Sequence, residues 1–289
     1  MKSLNVIGCG KVGKTLSRLW SRHDVFKVQN VLNRSLQSAA QAVDFVGSGR
    51  AVDDFAQLQK ADVVMISASD ESIGPCCRRL AATDILDRDV VVFHSSGSLS
   101  SHLLEPARKR GASVASIHPI KSCADPAASA ETFAGTYCAI EGDPAACDVL
   151  RDALERCGAI TFPLDPKFKT IHHAACVMVC NYLVALMETG LRCFEKGGIP
   201  RDTAMDVMKP IVTGTVDNVF RLGPVAALTG PIARGDRSVV QRHCEALSQW
   251  DEDILEIYKG LGRVAVELSA TQGNASADAL AAIEKMLHD

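Results

Sequence analysis

A glycine-rich turn between a predicted strand and a predicted helix constrains this chain most. Residues 4–7 are apolar enough for a short buried strand, and residues 15–20 continue as a helix. Between them, Gly8, Gly10 and Gly13 have the spacing G-x-G-x-x-G. The first glycine allows a tight turn, the second lets the backbone approach a pyrophosphate, and the third lets the helix pack closely on the strand. Because a strand precedes the motif and a helix follows it, the motif predicts a dinucleotide site at the helix N-terminus.

The residues after the second predicted strand indicate which dinucleotide is bound. That strand covers residues 25–32 and is followed by Asn33, Arg34 and Ser35. NAD-binding folds place an acid in this region on the ribose 2′-hydroxyl, whereas an arginine can pair with a 2′-phosphate. The sequence therefore favours NADP, and the alternative is a polar turn with a solvated arginine. The predicted cofactor-binding residues are Gly8, Cys9, Gly10, Lys11, Val12, Gly13, Asn33, Arg34, Ser35, Ser67 and Ala68.

Composition excludes several classes of protein. The chain has 289 residues, enough for two domains, and its net charge of −3 without a long basic run makes a nucleic-acid partner unexpected. No apolar segment is expected to reach the roughly 20 residues that span a bilayer, and no signal peptide is expected. The eleven cysteines include no C-x-x-C pair and suit reduced thiols in a cytosol. We expect a soluble cytoplasmic protein.

Strand-like and helix-like segments alternate up to about residue 165, which predicts an α/β doubly wound Rossmann domain over residues 1–165. The pattern then becomes all-α over residues 166–289, beginning with one long apolar helix over residues 169–196. Pro210 is expected to kink or interrupt the next helix. Because this half is rich in apolar positions, we expect a homodimer formed through the helical domain.

Polar clusters are expected at the carboxyl ends of three strands, where a doubly wound fold has its crevice. They cover residues 67–70, 94–98 and 118–122, and two of them contain histidine. Histidine titrates near neutrality and can transfer a proton beside a carbonyl or hydroxyl group. The alternative is loops with helix-capping serines. The candidate catalytic residues are Ser95, Ser96, His118, His173 and Asn181.

A possible metal stripe lies on the long helix, where His172, Cys176 and Cys180 recur every four residues. A structural zinc usually takes ligands from separate short loops, and both cysteines also fit as small packing residues. The sequence therefore predicts no metal site, and the alternative is an enzyme that binds zinc in the helical domain, which stoichiometric metal in the purified protein would reveal.

With these residues in place, the chain resembles the Rossmann-like oxidoreductases whose C-terminal helical domain is domain of unknown function 2520. The resemblance covers nearly the whole chain and rests on residues 8–13, 33–35, 94–97, 117–120, 173–175, 181–182, 228–231 and 234–236. That group is similar to pyrroline-5-carboxylate reductase, 6-phosphogluconate dehydrogenase and related β-hydroxyacid dehydrogenases, which join a Rossmann domain to a helical dimerisation domain. The resemblance implies NADP binding and a site between the domains, and it implies no particular substrate.

The chain departs from its relatives at one position of the long helix. The β-hydroxyacid dehydrogenases carry Lys-x-x-x-Asn there, but the residue four before Asn181 is Val177. Prephenate dehydrogenases are similar to this chain at residues 118–120, where their histidine contacts the hydroxyl group that is oxidised. This similarity makes His118 a candidate acid/base, with His173 as its competitor.

These observations predict an NADP-dependent oxidoreductase that transfers hydride to or from a small carbonyl, hydroxyl or imine acid. Ser95, Ser96 and Asn181 would orient polar groups of the substrate. The alternative from another class is a non-catalytic NADPH-binding sensor or scaffold, which would need no proton-transfer group.

Overall fold

An eight-stranded sheet forms the centre of the N-terminal half in the computed structural model, which describes residues 1–289. Its strands are β1 (Lys2–Ile7), β2 (Phe26–Leu32), β3 (Arg50–Val52), β4 (Val63–Ile66), β5 (Val91–His94), β6 (Ser113–Pro119), β7 (Tyr137–Gly142) and β8 (Ile160–Pro163). Their order is β3-β2-β1-β4-β5-β6-β7-β8. All neighbours are parallel except β6 and β7, which are antiparallel. The predicted α/β fold with a mostly parallel sheet is confirmed.

Helices follow most of the strands. They are α1 (Lys11–Arg22), α2 (Leu36–Val46), α3 (Asp70–Ala81), α4 (Glu105–Arg108), α5 (Pro126–Glu131), α6 (Pro144–Glu155), α7 (Lys169–Val179), α8 (Asn181–Lys196), α9 (Arg201–Leu222), α10 (Pro224–Ala227), α11 (Arg237–Ser248), α12 (Glu252–Gln272) and α13 (Ala277–His288). After β8 there are helices only, as the sequence predicts.

The central strands of the sheet are buried on both faces, which is typical of parallel sheets covered by crossover helices. Every residue of β4 and β5 is buried. On one face, the Trp20 ring meets Phe26 and Phe93 edge-on at centroid distances of 5.2 and 6.0 Å. The Trp20 indole N–H donates to the carbonyl of Ala153 at 3.1 Å, so its one polar group is satisfied inside the core.

Two predictions about the helical half are wrong. The segment 169–196 is not one helix, because the backbone of Cys180 (φ −113°, ψ −67°) separates α7 from α8. The break contains neither glycine nor proline, so hydrophobic periodicity gives no sign of it. Conversely, α9 continues through Pro210, so the alternative that proline interrupts this helix is wrong.

The expectation that no apolar segment is long enough to span a membrane also needs correction. The helical stretch Pro166–Lys196 passes that test by length and composition, with a mean hydropathy of 1.6 over its best window, and 6% of that window is buried. The reason is that residues 170–187 contain no Asp, Glu, Lys or Arg, although histidine and asparagine interrupt the apolar run.

By its contacts the chain divides into two units, Met1–Leu183 and Val184–Asp289. The strands end at Pro163, close to the boundary predicted near residue 165, but the first unit continues through α7. It does so because side chains of α7 pack against β6 within that unit. The second unit has its own apolar clusters, one of which joins Ile232, Val240 and Val266 to α13.

Candidate functional site

The glycine turn joins β1 to α1 at the edge where the parallel strands end. Gly8 has φ +80° and its N–H donates to the carbonyl of Leu32 at 2.8 Å. A Cβ on Gly8 would lie 2.8 Å from the backbone of Ala68, so both conformation and space require glycine. A Cβ on Gly13 would lie 3.2 Å from the carbonyl oxygen of Gly8 and from Ser67 Oγ. Ser67 and Ala68 therefore lie directly against the turn.

The beginning of α1 is open to an anion. Its N-cap, Gly10, makes no side-chain capping bond, and the first turn contains no acidic residue. A Cβ built on Gly10 would meet no atom within 4 Å, so space is free beside the backbone. The N–H groups of a helix's first turn lack intrahelical partners and carry the positive end of the helix dipole. This geometry fits the pyrophosphate of a dinucleotide.

The three residues after β2 have different roles. Asn33 Oδ1 accepts a hydrogen bond from the backbone N–H of Cys9 at 2.7 Å, and its Nδ2 donates to the carbonyl of Ser38 at 2.9 Å. Ser35 Oγ accepts from the Ser38 N–H at 3.2 Å and caps α2. Asn33 thus ties the glycine turn to the next loop. The exposed Arg34 carries the only charged side chain of the three.

A second loop, residues 95–98, approaches the glycine turn from the end of β5. Ser95 Oγ donates to Ser67 Oγ at 3.0 Å. Ser96 Oγ accepts from the backbone N–H groups of Ser98 and Leu99 at 3.2 and 3.1 Å. The hydroxyl of Ser96 therefore shapes the loop from within, whereas that of Ser95 lies beside the turn.

His94, at the end of β5, holds this loop in place. It is fully buried, and its Nδ1 accepts the backbone N–H of Ser96 at 3.2 Å. The other nitrogen must therefore carry the proton, and it donates to the carbonyl of Ser100 at 3.1 Å. Burial lowers the pKa of His94 to about 4, so the ring is neutral at physiological pH.

Three histidines meet beside the same loop. His118 is the last residue but one of β6, and His172 and His173 are on α7. His118 Nδ1 lies 3.4 Å from His172 Nε2. The rings of His118 and His173 have centroids 5.6 Å apart. A Cβ on Gly97 would lie 2.4 Å from His173 Cδ2 and 2.7 Å from His118 Nε2. The fold thus brings both predicted acid/base candidates together, and glycine at position 97 is what leaves them room.

The surroundings of His118 and His172 favour neutral rings. Burial, together with the neighbouring His172 and His173, lowers the pKa of His118 to about 4, and the charge of Lys169 acts in the same direction. Burial, followed by Lys169 and His173, also lowers the pKa of His172. A neutral imidazole can accept a proton or bind a metal ion.

Sequence reasoning missed a buried ion pair beneath the cluster. Lys169 is 1% exposed and its Nζ donates to Ser116 Oγ at 2.8 Å, with Glu141 Oε1 at 3.9 Å. The carboxylate of Glu141 accepts two further bonds of 2.7 Å from the N–H and hydroxyl of Ser101. Burial lowers the pKa of Lys169, and the Glu141 carboxylate opposes this shift. The available signal was Glu141, an acid within the otherwise apolar strand β7, because acids are rarely buried without a partner.

Asn181, the remaining predicted site residue, is not part of this cluster. It is exposed at the first residue of α8, after the break at Cys180. The cluster therefore consists of three histidines. The loop that contains Gly97 and Ser95 contacts this cluster at Gly97 and the glycine turn at Ser95.

Solved structures share this fold over most of the chain. Protein TM1727 of Thermotoga maritima is 25% identical with a TM-score of 0.71, and the match covers 93% of this chain and 99% of that one. A Bacteroides fragilis protein provisionally named as an NADP oxidoreductase, BF3122, is 20% identical with a TM-score of 0.76 and coverages of 91% and 97%. The Plasmodium falciparum pyrroline carboxylate reductase with NADP bound is 12% identical, with a TM-score of 0.58 and coverages of 94% and 98%.

Comparison of sequences identifies the two parts of the chain. No curated protein matches it significantly. A Rossmann-like domain matches residues 2–119, and domain of unknown function 2520 matches residues 136–265. The chain thus carries a Rossmann-like domain followed by a C-terminal DUF2520 domain.

Proposed function

We propose that this chain is an NADP-dependent oxidoreductase that transfers hydride to or from a small carbonyl, hydroxyl or imine acid. The observation that carries the proposal is the position of His118 and His173 against Gly97. Gly97 belongs to the same loop as Ser95, whose hydroxyl bonds to Ser67 beside the glycine turn. The proton-transfer groups therefore lie along the same edge of the sheet as the expected dinucleotide-binding site. Redox chemistry with a nicotinamide requires this proximity.

The preference for NADP rests on Arg34. Its guanidinium is exposed next to the loop that Asn33 ties to the glycine turn, and no carboxylate lies among residues 33–35 to repel a 2′-phosphate. Arginine forms charge-assisted, bidentate bonds with phosphate. The NADP bound to the pyrroline carboxylate reductase of similar fold supports this choice.

When bound, the dinucleotide would supply or accept the hydride at its nicotinamide ring. The glycine turn and the α1 N–H groups would hold its pyrophosphate. His118 or His173 would move the proton at the substrate oxygen or nitrogen, and the hydroxyl of Ser95 would orient a polar group. Acid–base catalysis of this kind contributes roughly 10²–10⁴-fold to a rate.

Histidine variants test this function against a non-catalytic NADPH sensor. A panel of keto and imino acids is first screened for oxidation of NADPH by loss of nicotinamide absorbance. We expect His118→Ala or His173→Ala to lower turnover by about 10²–10⁴-fold without loss of NADPH binding. His23→Ala, an exposed control in the same unit, should change neither property. Tight NADPH binding without turnover of any substrate would favour the sensor.

We further propose that the helical unit forms a homodimer. Large apolar side chains are exposed on α8, α9 and α12, among them Val184 (69% exposed), Ile211 (64%) and Phe220 (86%). Such a surface on several helices is typical of an interface. We prefer a second subunit to a membrane as the partner of this surface. The long apolar stretch begins with α7, and Lys169 and His172 of α7 bind side chains of β6 within the first unit. Light scattering should give twice the chain mass of 30.9 kDa, and Phe220→Asp should shift it towards the monomer.

The proposed compartment is the cytoplasm. All eleven cysteines are free, and none forms a disulfide. A chain with this many thiols is suited to a reducing compartment.

A further inference from the structure

We propose that His118, His172 and Cys176 form a binding site for Zn²⁺ with one open coordination position. Their candidate ligand atoms all lie within 4.8 Å of one another. His118 Nδ1 is 3.4 Å from His172 Nε2, and that nitrogen is 4.0 Å from Cys176 Sγ. Two imidazoles and a thiolate are a ligand set that zinc accepts.

The distances suit tetrahedral coordination. Zinc lies about 2.0–2.1 Å from histidine nitrogen and about 2.3 Å from cysteine sulfur. At tetrahedral angles these bonds place two nitrogens about 3.3–3.4 Å apart and a nitrogen and a sulfur about 3.5 Å apart. The spacing of His118 and His172 already has this value. The Cys176 sulfur lies 4.0 Å from His172 Nε2 and within 4.8 Å of the His118 ligand atom, so it has to approach both nitrogens, which a side-chain rotation allows.

Two structural elements supply the ligands. His172 and Cys176 are four residues apart on α7 and share one helix face. The third ligand, His118, comes from the end of β6. The stripe on α7 that suggested packing in the sequence thus gains a ligand from a distant part of the chain. Cys180, the third member of the stripe, lies at the helix break and is exposed, so the site uses His118 in its place.

The local charges permit a cation. The buried ammonium of Lys169 lies 3.9 Å from Glu141 Oε1, which offsets its charge. The thiolate of Cys176 would supply a negative charge directly to the metal. Zinc binding displaces protons from thiols and requires neutral imidazoles.

Three protein ligands leave a fourth position open, as in catalytic rather than structural zinc sites. Water could fill this position, or the oxygen of a carbonyl or carboxylate ligand. Zinc there would polarise a carbonyl group as a Lewis acid. With His118 Nδ1 bound to the metal, His173 would be the residue left to transfer a proton. Only this catalytic consequence rests on the proposed oxidoreductase function; metal binding does not.

Cobalt titration of untagged, metal-free protein tests the site. Co²⁺ replaces zinc and gives a thiolate-to-metal charge-transfer band together with visible bands of tetrahedral cobalt. We expect one equivalent to bind and zinc to displace it. Cys176→Ser should remove the charge-transfer band, and His172→Gln should weaken binding beyond the roughly 10–100-fold that loss of an outer-shell partner costs.

Neighbouring residues provide matched controls. Cys180→Ser and His173→Gln change the same residue types one helical turn or one residue away, and both should keep the spectrum and the affinity. Circular dichroism and NADPH binding are measured on every variant, so a folding defect is separated from the loss of a ligand. Absence of stoichiometric cobalt binding, a charge-transfer band that survives Cys176→Ser, or its loss in Cys180→Ser would overturn the site. Cobalt binding without any redox activity would reject the proposed function and leave the metal site standing.

Discussion

Acidification should destabilise the first unit through His94. This side chain is fully buried, and both ring nitrogens are engaged with backbone groups of the 95–100 segment. Burial lowers its pKa from 6.5 to about 4. The unfolded chain therefore takes up a proton at a higher pH than the folded chain does. As pH falls from about 6.5 to 4, the free energy of unfolding must fall with it.

The magnitude follows from the two pKa values. Protonation of the unfolded state lowers its free energy increasingly below pH 6.5, while the folded state gains almost nothing until pH approaches 4. Between pH 7 and pH 5 the difference amounts to about 2 kcal/mol. That is a large part of the stability of a typical domain. Burial of His118 acts in the same direction, so the effect of His94 must be measured as a difference between variants.

The two tryptophans make the assay specific to one unit. Trp20 is buried in the first unit and Trp250 lies in the second, so a Trp250→Phe background leaves Trp20 as the reporter. Urea unfolding is followed by fluorescence between pH 5 and 7.5. In that background, the unfolding free energy of His94→Gln should change between pH 7 and pH 5 by about 2 kcal/mol less than that of the parent. His23→Gln, an exposed histidine of the same unit, is the control.

A clear result would refute this reasoning. If His94→Gln retained the pH dependence of the parent, the ring would not be excluded from protonation by folding. If His23→Gln flattened the profile equally, burial would not be the cause of the shift.

Three further predictions concern the cofactor, the histidine cluster and the buried ion pair. Arg34→Ala should weaken NADPH binding by about 10- to 100-fold and leave NADH binding unchanged, measured by nicotinamide fluorescence; equal loss for both would reject its role at the 2′-phosphate. Gly97→Ala forces its Cβ into two imidazoles, so turnover should fall by about 10²-fold or more, whereas Gly214→Ala, on a helix with free space around it, should leave turnover unchanged. Lys169→Met should lower the unfolding free energy in urea by about 3 kcal/mol because Glu141 stays buried without its cation; adding Glu141→Gln should recover most of this loss, and no recovery would show that the charge was not the cause.

The fold could be predicted because its signals are local. Apolar strands such as β4 alternate with helical segments, and that order alone selects a parallel sheet with crossover helices. The break at Cys180 could not be predicted in this way, because it has no helix-breaking residue on either side. Pro210 gave the opposite error, because α9 continues through it although only Ala204 and Met208 of this helix are buried.

Only part of the site could be predicted from the sequence, for a related reason. The glycine turn is contained in six consecutive residues, so spacing describes it fully. The contact of His118 with His172 joins residues 54 positions apart, and that of Lys169 with Ser116 joins residues 53 positions apart. No local pattern encodes such pairs. The sequence could name two of these histidines as candidates, but it could not show that a strand supplies the ligand that the α7 stripe lacks.

The spacing of side chains on β6 corresponds to the spacing on α7, which explains why these distant residues are in contact. Side chains two apart on a strand face the same side, and those three apart on a helix lie on one face. Ser116 and His118 on β6 therefore face Lys169 and His172 on α7 as two adjacent pairs, with Ile117 pointing into the core between them. A shift of β6 by one residue against β5 would turn both polar side chains to the opposite face and bring Ile117 to α7. The parallel pairing of β5 with β6 is thus what places the histidine cluster at the same edge of the sheet as the glycine turn.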